Sequence, residues 1–135
     1  MGVLHEVIWV FYNINGGKFM VDNYTSKILI CCEKRNDILV KKQPIKKYNY
    51  YFDKMRKYAR KLINDNRQDE LLPFLNSDCI SIKKDIAGLL FNCYPDLCRK
   101  ALKEIADMTD IPVYYGIVQL GAKDNLKHGI PKDFP

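Results

Sequence analysis

Between residues 45 and 62 the apolar positions step by three or four residues at a time. They are Ile45, Tyr48, Phe52, Met55, Ala59 and Leu62. Steps of three and four return to the same side of an α-helix at every turn, so these side chains form one apolar stripe. Pro44 is tolerated at a helix start, and the polar run at 64–66 has turn chemistry. The pattern predicts a long amphipathic helix over residues 45–63.

A second helix is predicted before this one. Asp22 or Asn23 can cap its first turn, because a short carboxylate or amide side chain accepts hydrogen bonds from free backbone N–H groups. The helix should run to about Lys42, and its inward positions are Ile28, Cys31, Cys32, Ile38 and Leu39.

After residue 67, short apolar segments follow one another with turn signals between them. Glu70–Asp78 predicts a short helix that ends in a polar turn, with Pro73 close to its start. Ile80–Phe91 predicts the next helix, whose buried stripe is Ile82, Ile86, Leu89 and Leu90.

Two further helices complete the pattern. Pro95 opens one of them, which carries Leu97, Ala101, Leu102 and Ile105. The other is predicted from about Val113 to Lys127, with Gly129 at its C-terminal end, where glycine is favoured. Its inward positions are Ile117, Leu120 or Gly121, Ala122 and Leu126.

Short loops between about six helices favour antiparallel neighbours, so we predict an all-α fold in the form of a short α-solenoid. This helical domain should cover residues 20–128, followed by a C-terminal tail at 129–135.

Residues 1–19 break from the helical pattern. Val3–Tyr12 is the most hydrophobic stretch of the chain and contains no Lys or Arg. It lacks the basic region and cleavage site of a signal peptide and is about half as long as a membrane span. Two interpretations stay open: a short β-strand, or a segment upstream of a natural start at Met20, because the codons of Gly16 and Gly17 can form a ribosome-binding sequence. We expect a cytoplasmic protein.

The five cysteines are Cys31, Cys32, Cys79, Cys93 and Cys98. Their number is odd, and four of them lie in apolar helical patterns, where thiols pack as small hydrophobic groups. We therefore expect reduced, structural cysteines. No second Cys/His pair has zinc-finger spacing, so zinc is not predicted.

The residues that could support catalysis do not form a recognisable group. His5 and His128 lie near opposite ends of the chain. Gly16-Gly17-Lys18 lacks the first glycine and the Ser/Thr of a phosphate loop, and the acidic residues at 104–110 lack calcium-loop spacing. We predict no catalytic, cofactor-binding or metal-binding residue, and no enzyme.

The segment Leu71–Asp78, followed by Ile82-Lys83, Ile86-Ala87 and Leu89-Leu90, looks like a HEAT repeat. Beyond it, residues from about 37 to 126 resemble a family of short bacterial HEAT-like proteins of unknown function. The shared features are Asn49–Asp53, the Leu-Leu-Pro-Phe-Leu motif and the closing Gly121–Leu126 helix. The resemblance implies a protein-binding fold. It also implies an immunity protein, since such proteins often look like neighbours of toxin genes.

Charge supplies the one feature with functional meaning. The chain carries +6, whereas residues 41–67 alone hold ten Lys/Arg and two Asp, a net +8. A basic surface attracts acidic protein partners, and lysines beside tyrosines also suit nucleic acid. Nuclease toxins tend to be basic, which disfavours them as targets. No membrane partner is predicted. The candidate partner-binding residues are Lys47, Tyr50, Lys54, Lys57, Lys61, Lys83 and Lys84.

Overall fold

Residues 23–135 are described in the computed structural model of the chain, and their regular structure is helical throughout. The α-helices are α1 (Tyr24–Val40), α2 (Ile45–Asn64), α3 (Ile80–Leu90), α4 (Pro95–Ala106) and α5 (Gly116–His128), with 3₁₀ segments at Gln68–Asn76 and Val113–Tyr115. The all-α class is confirmed for these residues. The solenoid arrangement stays a prediction, and the extension at 1–19 lies outside the described part of the chain.

Helix α1 begins and ends close to the predicted positions. The Asn23 side chain accepts a hydrogen bond from the Thr25 N–H at 2.7 Å and so caps the first turn. At the other end Lys42 takes φ 54°, and the Gln43 N–H donates to the Ile38 carbonyl at 2.9 Å. This left-handed residue stops α1 and lets Pro44 lead into α2.

Helices α1 and α2 form an antiparallel hairpin. Three side-chain pairs show this, because numbers that fall along α1 rise along α2: Arg35 with Tyr48, Cys32 with Met55, and Tyr24 with Tyr58. The apolar stripe of α2 forms the floor of this contact, with Met55 and Leu62 fully buried. Ile45 was predicted to face inward, but it is 52% exposed, because the first turn of α2 lies at the open corner of the hairpin beside the exposed Val40.

Helix α3 forms the second part of the core, and its predicted stripe is confirmed. Ile82, Ile86, Leu89 and Leu90 are each at most 1% exposed. The 3₁₀ segment before it replaces the predicted short helix. Pro73 lies inside that segment. Proline has no backbone N–H, so Pro73 cannot donate a hydrogen bond in this segment.

The inward face predicted for α5 is partly wrong. Ala122 is buried as predicted and Leu126 is partly buried, but Ile117 and Leu120 are 46% and 67% exposed and Val118 is buried. Residues Val113–Tyr115, predicted to be the first turn of this helix, form a 3₁₀ segment, and α5 begins at Gly116.

A buried ion pair joins α1 to α3. The Arg35 Nε donates to the Asp85 carboxylate at 3.1 Å, and both side chains are at most 5% exposed. The guanidinium lies 3.7 Å from the centre of the Tyr48 ring on α2. Burial raises the pKa of Asp85, and the positive charges of Arg35 and Lys84 oppose that rise. One arginine of α1 thus contacts both α2 and α3.

Residues 129–135, predicted as a tail, pack against the helices. The Phe134 ring stacks on Phe52 of α2 at 5.9 Å between centres, and the Arg56 guanidinium lies 4.6 Å from the Phe134 ring. The Asn92 amide, after α3, donates to the carbonyls of Pro131 and Phe134. The tail therefore packs against both α2 and the turn that joins α3 to α4.

We expect Arg35→Met to lower the free energy of unfolding by about 3–5 kcal/mol at neutral pH, because it leaves the Asp85 carboxylate buried without its partner. Without Arg35 the folded-state pKa of Asp85 should rise further above its unfolded value. The loss should therefore shrink as pH falls and Asp85 becomes protonated. Urea unfolding across pH measures both effects.

The double variant Arg35→Met/Asp85→Leu is the matched control, since it removes both charges and keeps apolar volume. It should recover most of the stability lost in the single variant. A double variant no more stable than Arg35→Met would contradict the ion-pair account.

We expect Leu89→Ala to cost on the order of 2–5 kcal/mol, because the side chain is fully enclosed. The same substitution at the exposed Leu120 should change stability by less than about 0.5 kcal/mol. Equal losses in chemical denaturation would show that the two leucines do not have the burial described here.

Candidate partner-binding site

Five of the predicted site residues share one face of α2. Lys47, Tyr50, Lys54, Lys57 and Lys61 are spaced three, four, three and four residues apart, which places them on a single stripe. Lys47, Lys54 and Lys61 each precede a buried residue by one position, which is about 100° around the helix, so this stripe flanks the buried face. Tyr50 is 55% exposed, and the lysines are exposed except Lys54, which is partly buried.

A second row of lysines on α1 was missed by the sequence analysis. Lys27 and Lys34 of α1 and Lys41, the residue directly after this helix, are each seven residues apart, so they fall on one side of the helix and its C-terminal cap. On α2, Lys47, Lys54 and Lys61 have the same spacing. Seven-residue spacing was the signal in the sequence that could have revealed the α1 row, but these lysines are mixed with other polar residues there.

A line of tyrosine rings, which we call the tyrosine file, lies between the two lysine rows. The Lys27 Nζ on α1 lies 5.9 Å from the ring centre of Tyr24 and 5.5 Å from that of Tyr58. From the other side, the Lys61 Nζ on α2 lies 5.4 Å from the Tyr24 ring. Ammonium groups at these distances are attracted by the ring faces. Lysines of both helices therefore face the same rings.

The file continues toward the corner of the hairpin. The Lys54 Nζ lies 5.4 Å from the Tyr50 ring. The pKa of Lys54 is raised by the negative charges that Tyr50 and Tyr58 carry when they ionise. At the corner the surface widens into an open cavity of about 440 Å³, lined by Lys34, Asp37, Ile38, Lys41, Gln43, Lys47, Tyr50 and Tyr51.

We call this surface the lysine–tyrosine groove. It comprises Lys27 and Lys34 of α1, Lys41 directly after α1, Lys47, Lys54 and Lys61 of α2, and the rings of Tyr24, Tyr50, Tyr51 and Tyr58. Lys57 is exposed on the outer flank of the same α2 stripe.

Within residues 23–135, no groove lysine forms a salt bridge. The ion pairs there are Arg35–Asp85, Arg67–Glu70, Lys83–Glu104, Lys103–Asp107 and His128–Asp124. None of them involves a groove lysine. Asp37 lines the wide end and offsets one of the charges there. The surface is therefore strongly positive.

Lys83 and Lys84, the other two predicted site residues, do not join this surface. Lys83 is 6% exposed, and its Nζ binds the Glu104 carboxylate at 2.9 Å. Lys84 is partly buried and extends toward α5, where a Cβ on Gly121 would come within 3.1 Å of its Cε. Burial lowers the pKa of Lys84, and the negative charge of Asp85 opposes that shift. Both lysines serve packing between helices.

The cysteine side chains are buried or partly buried. The five cysteines are free thiols, and burial raises the pKa of Cys98 to about 12. The Cys79 thiol donates to the Asn36 side-chain oxygen, which also accepts from the Tyr115 hydroxyl at 2.6 Å. In the described region, no group of three His, Cys, Asp or Glu side chains is placed to hold a metal ion. No helix there is long and apolar enough to cross a bilayer.

We expect Lys84→Glu to destabilise the fold by about 2 kcal/mol or more, because it places a second carboxylate beside the buried Asp85. Lys57→Glu makes the same charge change on the exposed flank of α2 and should stay within about 0.5 kcal/mol of wild type. Thermal and urea unfolding compare them. A Lys84→Glu variant as stable as Lys57→Glu would contradict the inward placement of Lys84.

The chain was compared with protein families, curated proteins and solved structures. No protein-family profile, curated protein or solved structure matches the chain.

Proposed function

We propose that this chain is a non-catalytic protein-binding module and that the lysine–tyrosine groove binds an acidic surface of its partner. The observation that carries the proposal is the pair of lysine rows, which face one file of rings and have no ion-pair partner within residues 23–135. Complementary potentials speed encounter and select the partner.

The arrangement of the tyrosine rings favours a protein partner over a nucleic acid partner. Base stacking needs open ring faces. Here the Tyr24 and Tyr58 rings stack on each other at 6.2 Å, and Lys27 and Lys61 lie over them. Carboxylates of a partner can reach the ammonium groups without displacing these contacts.

The resemblance of residues 71–90 to a HEAT repeat agrees with a protein-binding role. Within that role we propose an immunity or regulatory protein. A basic groove selects an acidic partner, so a basic nuclease toxin is the least suitable target.

Nucleic acid is the second candidate, because Tyr50 is 55% exposed beside Lys54 and offers one open ring for stacking. The two candidates differ in their response to salt. Binding to a strand falls steeply between about 50 and 200 mM salt, since every neutralised phosphate releases counterions.

The test is capture from a lysate of the native host, treated with nuclease, on the immobilised full chain. Wild type is compared with Lys54→Glu/Lys57→Glu/Lys61→Glu. We expect wild type to retain a stoichiometric protein and the triple variant to lose it. Helicity and melting temperature should stay unchanged, because these side chains lie on the surface of α2. The retained protein is then purified and titrated with both chains.

The control is Lys100→Glu/Lys123→Glu/Lys127→Glu, which makes the same charge change on exposed positions of α4 and α5. It should bind like wild type. Equal retention by all three chains would contradict the groove as the binding surface. Recovery of nucleic acid that disappears on nuclease treatment would favour the second candidate.

A further inference from the structure

We propose that the partner presents an acidic amphipathic α-helix, which lies lengthwise in the lysine–tyrosine groove between α1 and α2. This inference rests on the proposed function and specifies the shape of the partner.

The repeat of the lysines carries the inference. Both rows repeat every seven residues, which is about 10.5 Å along a helix, and each row spans about 21 Å. Two turns of a partner helix rise about 10.8 Å, so a carboxylate every seventh residue meets a lysine at each repeat. In a partner β-strand, residues on one face repeat about every 6.8 Å, which does not match the spacing of the lysines.

The two rows define the cross-section of that helix. Lys27, Lys34 and Lys41 form one bank, and Lys47, Lys54 and Lys61 form the other. The accessible apolar surface between them lies at the wide end, where Tyr50 is 55% exposed and Tyr51 is partly buried. A matching helix has apolar side chains along its centre and Asp or Glu on both flanks. These are the positions that pair charges across a helical coiled coil.

Asp37 sets the register at the wide end of the groove. Its carboxylate lines the same cavity as Lys34 and Lys41, so it repels a partner carboxylate and accepts a hydrogen bond from a neutral or basic side chain. A partner helix can carry a neutral or basic residue at the position that faces Asp37. A nucleic acid strand cannot, because it carries one charge about every 3.4 Å along its length.

The experiment uses the full chain and a labelled synthetic peptide of three heptads. Each heptad has Leu at two central positions and Glu at the two flanking positions. Two peptides of nearly the same composition are compared with it: one has the residues shuffled, and the other has proline at an outward position of the middle heptad, which breaks the helix. Binding is followed by fluorescence anisotropy.

We expect the heptad peptide to bind at least about tenfold more tightly than the shuffled and proline peptides, because only its helix matches both banks. Lys34→Glu/Lys54→Glu, one change in each bank, should weaken binding by about tenfold or more. The control Lys100→Glu/Lys123→Glu should stay within about twofold of wild type. Carbodiimide coupling should join successive peptide heptads to Lys27, Lys34 and Lys41 in chain order or its reverse.

If all three peptides bind wild type with equal affinity and none binds Lys34→Glu/Lys54→Glu, the proposal of a helical partner fails. The proposal of an acidic protein partner would then stand. Coupling to lysines of α4 and α5 in place of the groove would overturn the site. If no peptide binds and a 21-nucleotide oligothymidylate binds through the same lysines, the helix and the acidic-protein proposal both fail.

Discussion

The contacts by which Arg35 joins α1 to α2 and α3 are the constraint on which the groove depends. Its guanidinium is held by Asp85 of α3 and covers the Tyr48 ring of α2, and its Nη1 donates to the Tyr48 carbonyl at 3.4 Å. A buried ion pair adds little net stability, because both charges lose their water, but it disfavours arrangements that leave either charge alone. A slip of α1 by one residue would turn it by about 100° and carry its lysines away from the tyrosines. The ion pair therefore fixes the register that makes two lysine rows one surface.

Other polar residues of α1 hold it at both ends. The Thr25 hydroxyl donates to Glu70 at 2.7 Å near its start, and Asn36 accepts from Tyr115 farther along. Polar side chains thus face inward on this helix, where an apolar stripe would ordinarily lie. The five inward positions predicted for α1 are all buried, but the sequence did not show that Thr25, Arg35 and Asn36 are buried with them. Helix α2 has no such inward charges, and its period of three and four gave both its length and its buried face.

The limits of prediction follow from interactions distant in sequence. Nothing local in Lys83-Lys84 tells that Glu104 and Gly121, on two later helices, receive these side chains. The same holds for α5, where the exposure of Ile117 and Leu120 depends on packing against other helices that the apolar pattern does not show. The lysines of α2 were found from local charge density, but their counterparts on α1 become part of the site only when the hairpin closes.

The register of α1 against α2 is the central claim, and NMR of the free wild-type chain tests it most directly. We expect nuclear Overhauser contacts between the rings of Tyr24 and Tyr58. We also expect contacts from the ε-methylene protons of Lys27 to both rings, since its ammonium lies within 6 Å of each ring centre. Contacts of Lys27 with neither ring, or of Tyr24 with a different turn of α2, would contradict the groove and the binding mode built on it.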